Sequence, residues 1–217
     1  MALMIADAAA GSGRATHLVD TSRPRRSGLV AVPTRELGEL AGGLWRRGLR
    51  DGVTVDRPTG DVAPTGWPTA TDDRDKPDAR SVTVLDLGLP GEGPLTRLAT
   101  AGCRTVVVAR CTVPGVQAVE THLAALGADQ AVVALVGPGR VPSAVGACTG
   151  PLLRGLRSTG RVVAVPVDRH VATTGLTSRP LARPLIGAGR GLFELLDRAR
   201  PGSAVPGATS ASTVRTL

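Results

Sequence analysis

The chain has 217 residues, 42% of them hydrophobic, with 26 basic and 18 acidic side chains and a net charge of +8. That length suits one sizeable domain with its own core. Trp45, Trp67 and Phe193 are the whole aromatic complement, which argues against the single-strand and RNA binders that stack bases on aromatic platforms.

The basic excess is uneven: residues 1–80 carry +1 and residues 81–217 carry +7. Nearly all of it is arginine, spread singly, and the chain's one lysine is Lys76. Such an Arg-for-Lys bias arises from a GC-rich genome without selection for binding; weak non-specific DNA contact is the alternative it leaves. Cys103, Cys111 and Cys148 are odd in number and form no CxxC pair, so neither a zinc nor a disulfide framework is expected and a reducing compartment fits. Cys103 and Cys111 flank an apolar run and read as small core residues. Residues 1–10 lack the basic flank of a signal peptide, and no apolar run reaches the roughly 18 residues of a membrane span. A cytoplasmic protein is expected.

Met1 to Gly11 suits the tail of a helix, stopped by Gly11 and Gly13. Thr16–Asp20 reads as a short buried strand ending on a carboxylate. Between Thr34 and Leu49, the spacing of Leu37, Leu40, Leu44 and Trp45 predicts a helix capped by Thr34. Gly52–Asp56 reads as a second strand. Residues 57–80, rich in Pro, Gly and Asp, read as a loop or linker insertion, with Trp67 as a possible anchor.

From Ser81 the pattern becomes regular. Strands are predicted at 82–87, 105–109, 131–136 and 161–166. Helices are predicted at 95–101, 113–126, 143–157 and 184–198. Short β-branched runs alternating with amphipathic helices predict an α/β domain: a mostly parallel sheet of about six strands with helices on both faces. It spans residues 1–200, followed by a disordered tail at 201–217.

Asp20 and Asp86 each end a hydrophobic strand, where open α/β sheets build their ligand crevice. A carboxylate there can hold Mg²⁺, because a hard cation takes oxygen ligands. The alternative is that both are ordinary strand-ending or capping residues. His17, His122 and His170 are dispersed, with His122 on a helix surface and His170 in a loop, and no nucleophile-elbow sequence supports a Ser-His-Asp site. Gly187-Ala188-Gly189-Arg190-Gly191 lies at a late helix and reads as close helix packing.

The order of elements resembles the MinD/ParA-type ATPases, a P-loop NTPase group with a deviant phosphate loop. Thr16–Asp20 followed by Ser27-Gly28-Leu29 is similar to their second strand and loop. Val82–Gly88 is similar to their Walker B strand, and Val106–Glu120 to their strand-Pro-helix segment. Val162 to Asp168, then Gly175, resembles the late strand-Ile-Pro-x-Asp segment, and Arg183-Pro184-Leu185 leads into the final helix. The likeness is strongest to the divergent CpaE/TadZ-like branch.

That resemblance implies ATP and Mg²⁺ as ligands, with Asp20, Asp86, Pro166 and Asp168 as the nucleotide- and magnesium-like positions, vestigial here. It also implies protein partners in septum-site positioning, partitioning or pilus assembly, and a possible homodimer. The chain departs from the family in lacking its first strand and Gly-Lys loop. Gly11-Ser12-Gly13-Arg14 precedes a strand, so its backbone N–H groups are not aimed at one anion. Val136-Gly137-Pro138-Gly139 stands where the family often has an adenine-contacting Asn. The expectation is therefore a non-catalytic regulatory or scaffolding protein with no bound cofactor. Two alternatives stay open: a fragment of an active ATPase whose start lies upstream, and a DNA-associated basic protein.

Overall fold

The computed structural model describes residues 1–22, 24–40, 42–60, 81–88 and 103–198. Helix α1 (Ala2–Gly11) ends where Gly13 takes φ +81°, and strand β1 (Thr16–Asp20) follows, buried at every position. A 3-10 turn at Pro24–Arg26 leads to β2 (Arg35–Leu40), β3 (Trp45–Arg50), β4 (Val53–Pro58) and then β5 (Val82–Asp86). These strands form one mixed sheet in the order β2-β3-β4-β1-β5. β1 runs parallel to β4 and β5, whereas β2, β3 and β4 form an antiparallel meander.

The second half alternates strands and helices: β6 (Thr105–Arg110), α2 (Val113–Leu126), β7 (Ala131–Gly137), α3 (Ser143–Ala147), α4 (Pro151–Ser158), β8 (Val162–Pro166), α5 (Arg169–Thr174) and α6 (Arg183–Arg198). β6, β7 and β8 make a wholly parallel sheet in that order. Helix α2 forms because Thr112 accepts from Gly115 N–H, Pro114 sits in the first turn, and Val116, Val119, Leu123 and Leu126 fall on one buried face. It stops at Gly127, φ +83°.

Strand β7 shows how a strand buried on both faces reads as an unbroken apolar run. Val132 and Ala134 enter a core with Leu3 and Met4 of α1, Leu18 of β1, Val55 of β4 and Leu185 and Leu192 of α6. Val133 and Leu135 point the other way, into a core with Leu123 of α2 and Leu153 and Leu156 of α4. The first of these cores joins the two sheets. Within it α1 and α6 pack so closely that a Cβ on Gly189 would come within 2.9 Å of the Met4 carbonyl carbon. The small-residue reading of residues 187–191 is met at Gly189, while Gly187 and Gly191 face open space.

Several expectations need correction. Residues 34–49 form no helix but the β2–β3 hairpin. Gly38, Gly42 and Gly43 all take positive φ, and each glycine costs a helix roughly 1 kcal/mol. The supposed apolar face also fails, since Leu37 and Leu44 are exposed. That hairpin makes the first sheet mixed, so the expected single, mostly parallel sheet is replaced by a mixed and a parallel one. The 143–157 helix is split by Gly150-Pro151 into α3 and α4. His170 lies in α5 and not in a loop. Cys111 is buried as expected, but Cys103 is exposed. The predicted helix at 95–101, most of the 57–80 insertion with Trp67 and Lys76, and the 201–217 tail lie outside the described residues. Among the described residues no helix is long and apolar enough to cross a membrane.

Candidate functional site

Parallel pairing of β1 and β5 places Asp20 and Asp86 opposite each other at the carboxyl ends of adjacent strands. Two chain turns close the corner above them. Thr21 donates its N–H and its hydroxyl to the Asp86 carbonyl, both at 2.9 Å, and Gly88 N–H donates to Asp86 Oδ1 at 3.1 Å. Gly88 sits at φ +61° with the Ser22 hydroxyl where a Cβ would go, so a side chain there would be strained and would displace that hydroxyl.

Asp20 is almost completely buried. Its Oδ1 accepts from Ser22 N–H at 2.8 Å and its Oδ2 from the Ser27 hydroxyl. Ser27 in turn accepts from Leu29 N–H at 3.0 Å, which fixes the loop. Burial pushes the Asp20 carboxyl above its ordinary pKa; the Ser27 and Ser22 hydrogen bonds oppose this, and the nearby Asp86 charge reinforces it.

The other expected positions do other work. Pro166 ends β8 beside Gly137 of β7. Asp168 caps α5, its Oδ1 accepting from Val171 N–H at 3.0 Å. Among the described residues no three His, Cys, Asp or Glu side chains come together as a metal site. Arg14 is turned away: it pairs with Asp197 at 2.7 Å and stacks over Phe193, 5.3 Å from the ring centre.

The donor set can be tested against Mg²⁺-ATP. Two carboxylates suffice for magnesium when phosphate oxygens complete its octahedron. The phosphates themselves need cationic or N–H donors. Among the described residues no arginine side chain forms an ion pair with Asp20 or Asp86, and both Asp20 oxygens already accept hydrogen bonds. The described residues therefore do not fit a competent Mg²⁺-ATP site.

A second arrangement was not foreseen. Asp56 on β4 has no exposed surface; its Oδ1 accepts from Arg47 Nε at 2.8 Å, and its Oδ2 from Arg47 Nη2 and His17 Nε2, each at 2.7 Å. An ionised carboxylate only accepts, so His17 Nε2 carries the hydrogen. Burial alone would raise the Asp56 pKa, but the Arg47 and His17 hydrogen bonds and charges outweigh it and hold the group below its ordinary value. The cluster joins β1, β3 and β4. Its sequence signal was polar residues at buried strand positions, hidden as long as residues 34–49 were read as a helix.

A fully buried arginine was also missed. Arg50 donates to the carbonyls of Thr177 and Arg179, each at 3.0 Å, and its Nε lies 3.5 Å from Asp7 Oδ1. It ties α1 and the segment before α6 to the end of β3. Comparison with models of known protein families and with curated proteins finds no match to this chain.

Proposed function

We propose that this chain is a cytoplasmic, non-catalytic regulatory or scaffolding factor of the MinD/ParA kind, acting in a cell-positioning, partitioning or pilus- and secretion-assembly system. The observation that carries the reading is the Asp20–Asp86 pair at the ends of adjacent parallel strands. It has the placement of a switch-fold cation site, and its carboxylates are engaged by Ser22, Ser27 and Gly88. The chain's one lysine, Lys76, stands in Arg74-Asp75-Lys76-Pro77 with no glycine beside it, unlike the lysine of a phosphate loop. The capped helices that follow β6 and β8, at Thr112 and Asp168, support the same family order. In this reading the carboxylates hold the loop corner in shape, and any function passes through protein contacts.

Two measurements test it. Purified protein with ATP and Mg²⁺ is expected to show no turnover above a blank; turnover that Asp86→Ala abolishes would overturn the reading. In the source cell, deletion is expected to disturb septum placement, partitioning or pilus assembly, and the Asp20→Asn/Asp86→Asn variant is expected to restore it. Failure of that variant, although folded, would return the carboxylates to a catalytic role.

A further inference from the structure

Residues 103–198 carry eleven arginines against five carboxylates. Four of those carboxylates are already committed. Glu120 accepts from Leu152 and Leu153 N–H at the start of α4, Asp168 caps α5, Glu194 pairs with Arg198, and Asp197 pairs with Arg14. This half of the protein therefore presents cationic charge that its own side chains do not neutralise.

That charge has a shaped setting in one place. A cleft of about 260 Å³ opens on the α4 side of the parallel sheet. Its floor is aliphatic, from Leu135 on β7, Val162 and Ala164 on β8, and Val141 in the loop after β7. Arg140 and Arg157 flank it, both exposed. Neither has a carboxylate partner among the described residues, and no acidic residue among them lines the cleft. Part of the floor, Val162 and Ala164, lies on an edge strand, because among the described residues β8 pairs with β7 alone.

We propose that this cleft docks an acidic, aliphatic protein segment, its carboxylates on Arg140 and Arg157 and an aliphatic side chain on the floor between them. Guanidinium forks match carboxylates bidentately. The floor gains from covering by apolar groups and gains nothing from a phosphodiester backbone. No aromatic residue among the described ones lines the cleft to stack a base, which disfavours a nucleic-acid strand as the occupant. An extended segment beside β8 also meets the unpaired backbone groups of an edge strand. The proposal uses none of the strand-end carboxylates and stands apart from the reading built on them.

The test is fluorescence anisotropy on the full chain, with a labelled peptide alternating glutamate and valine and its glutamine–valine counterpart. The glutamate peptide is expected to bind saturably and to weaken with salt. Arg140→Glu/Arg157→Glu is expected to weaken it at least about tenfold, and Arg140→Gln/Arg157→Gln by less. Arg26→Glu, a single charge reversal on the first half of the chain and half the charge change of the double variant, is expected to leave affinity within about twofold. If the charge-reversed protein fails to fold, the Gln variant and the two peptides on the unaltered chain decide. Equal binding of both peptides, an equal loss from Arg26→Glu, no binding of the glutamate peptide, or preference for duplex DNA would each overturn the proposal.

Discussion

His17 on β1 and Asp56 on β4 meet at 2.7 Å across two parallel strands, and Arg47 on β3 closes on the same carboxylate from the other side. Three neighbouring strands are thus cross-linked through one buried group. Removing the carboxylate takes from Arg47 and His17 the one buried acceptor that both donate to. Asp56→Ala is expected to lower unfolding free energy by about 3–5 kcal/mol, measured by urea denaturation at neutral pH. A loss below about 1 kcal/mol would show that the cluster is not closed in solution.

The same carboxylate predicts an acid limb. Its folded-state pKa lies below the unfolded value, so its contribution is present above the unfolded pKa and is lost as pH falls through the folded one. Urea midpoints at successively lower pH are expected to fall more steeply for the unaltered protein than for Asp56→Asn.

Asp20 carries the opposite sign. Its folded pKa is raised, so its contribution is fully present below the unfolded pKa of about 3.9 and is lost as pH rises through the folded value. Relative to Asp20→Asn, which stays neutral, the unaltered protein is expected to gain stability as pH drops from 7 toward 4. A gain in the reverse direction would mean that Asp20 is charged and paired, as in a cation site.

Gly189 and Gly191 make a paired prediction within one helix. Gly189→Ala drives a Cβ into the Met4 backbone and is expected to cost about 1–3 kcal/mol by forcing α1 and α6 apart. Gly191→Ala meets nothing within 4 Å and is expected to be neutral or stabilising by up to about 1 kcal/mol. Thermal melting of the two variants side by side checks both signs.

Glu120 caps a helix that is not its own. Its two oxygens take Leu152 N–H at 2.6 Å and Leu153 N–H at 3.1 Å. Glu120→Ala is expected to cost about 0.5–2 kcal/mol and Glu120→Gln less, since the amide keeps one acceptor. Amide exchange at Leu152 and Leu153 should rise in the Ala variant before the rest of the fold responds.

Much of the second half was legible in the sequence. The strands at β6, β7 and β8, helix α2 with its Thr112 cap and Gly127 stop, and α6 all announce themselves locally. A β-branched run buried on both faces needs no partner to be recognised, and Thr112 lies three residues from the Gly115 N–H it caps. The placement of Asp20 and Asp86 at strand ends was equally readable. The β2–β3 hairpin was not, because Leu37, Leu40, Leu44 and Trp45 match helical spacing, and only the positive φ of Gly38, Gly42 and Gly43 decides against it.

The sequence alone determined an α/β chain with acidic strand ends, because hydrophobic period and capping chemistry are local properties of the polymer. Tertiary structure decided which of those acids do what. Parallel register set Asp20 beside Asp86, a missed hairpin brought Arg47 to Asp56, and a helix crossing gave Asp197 to Arg14. Each is a contact between residues distant in sequence, set by which surfaces can be buried together rather than by what any one segment prefers.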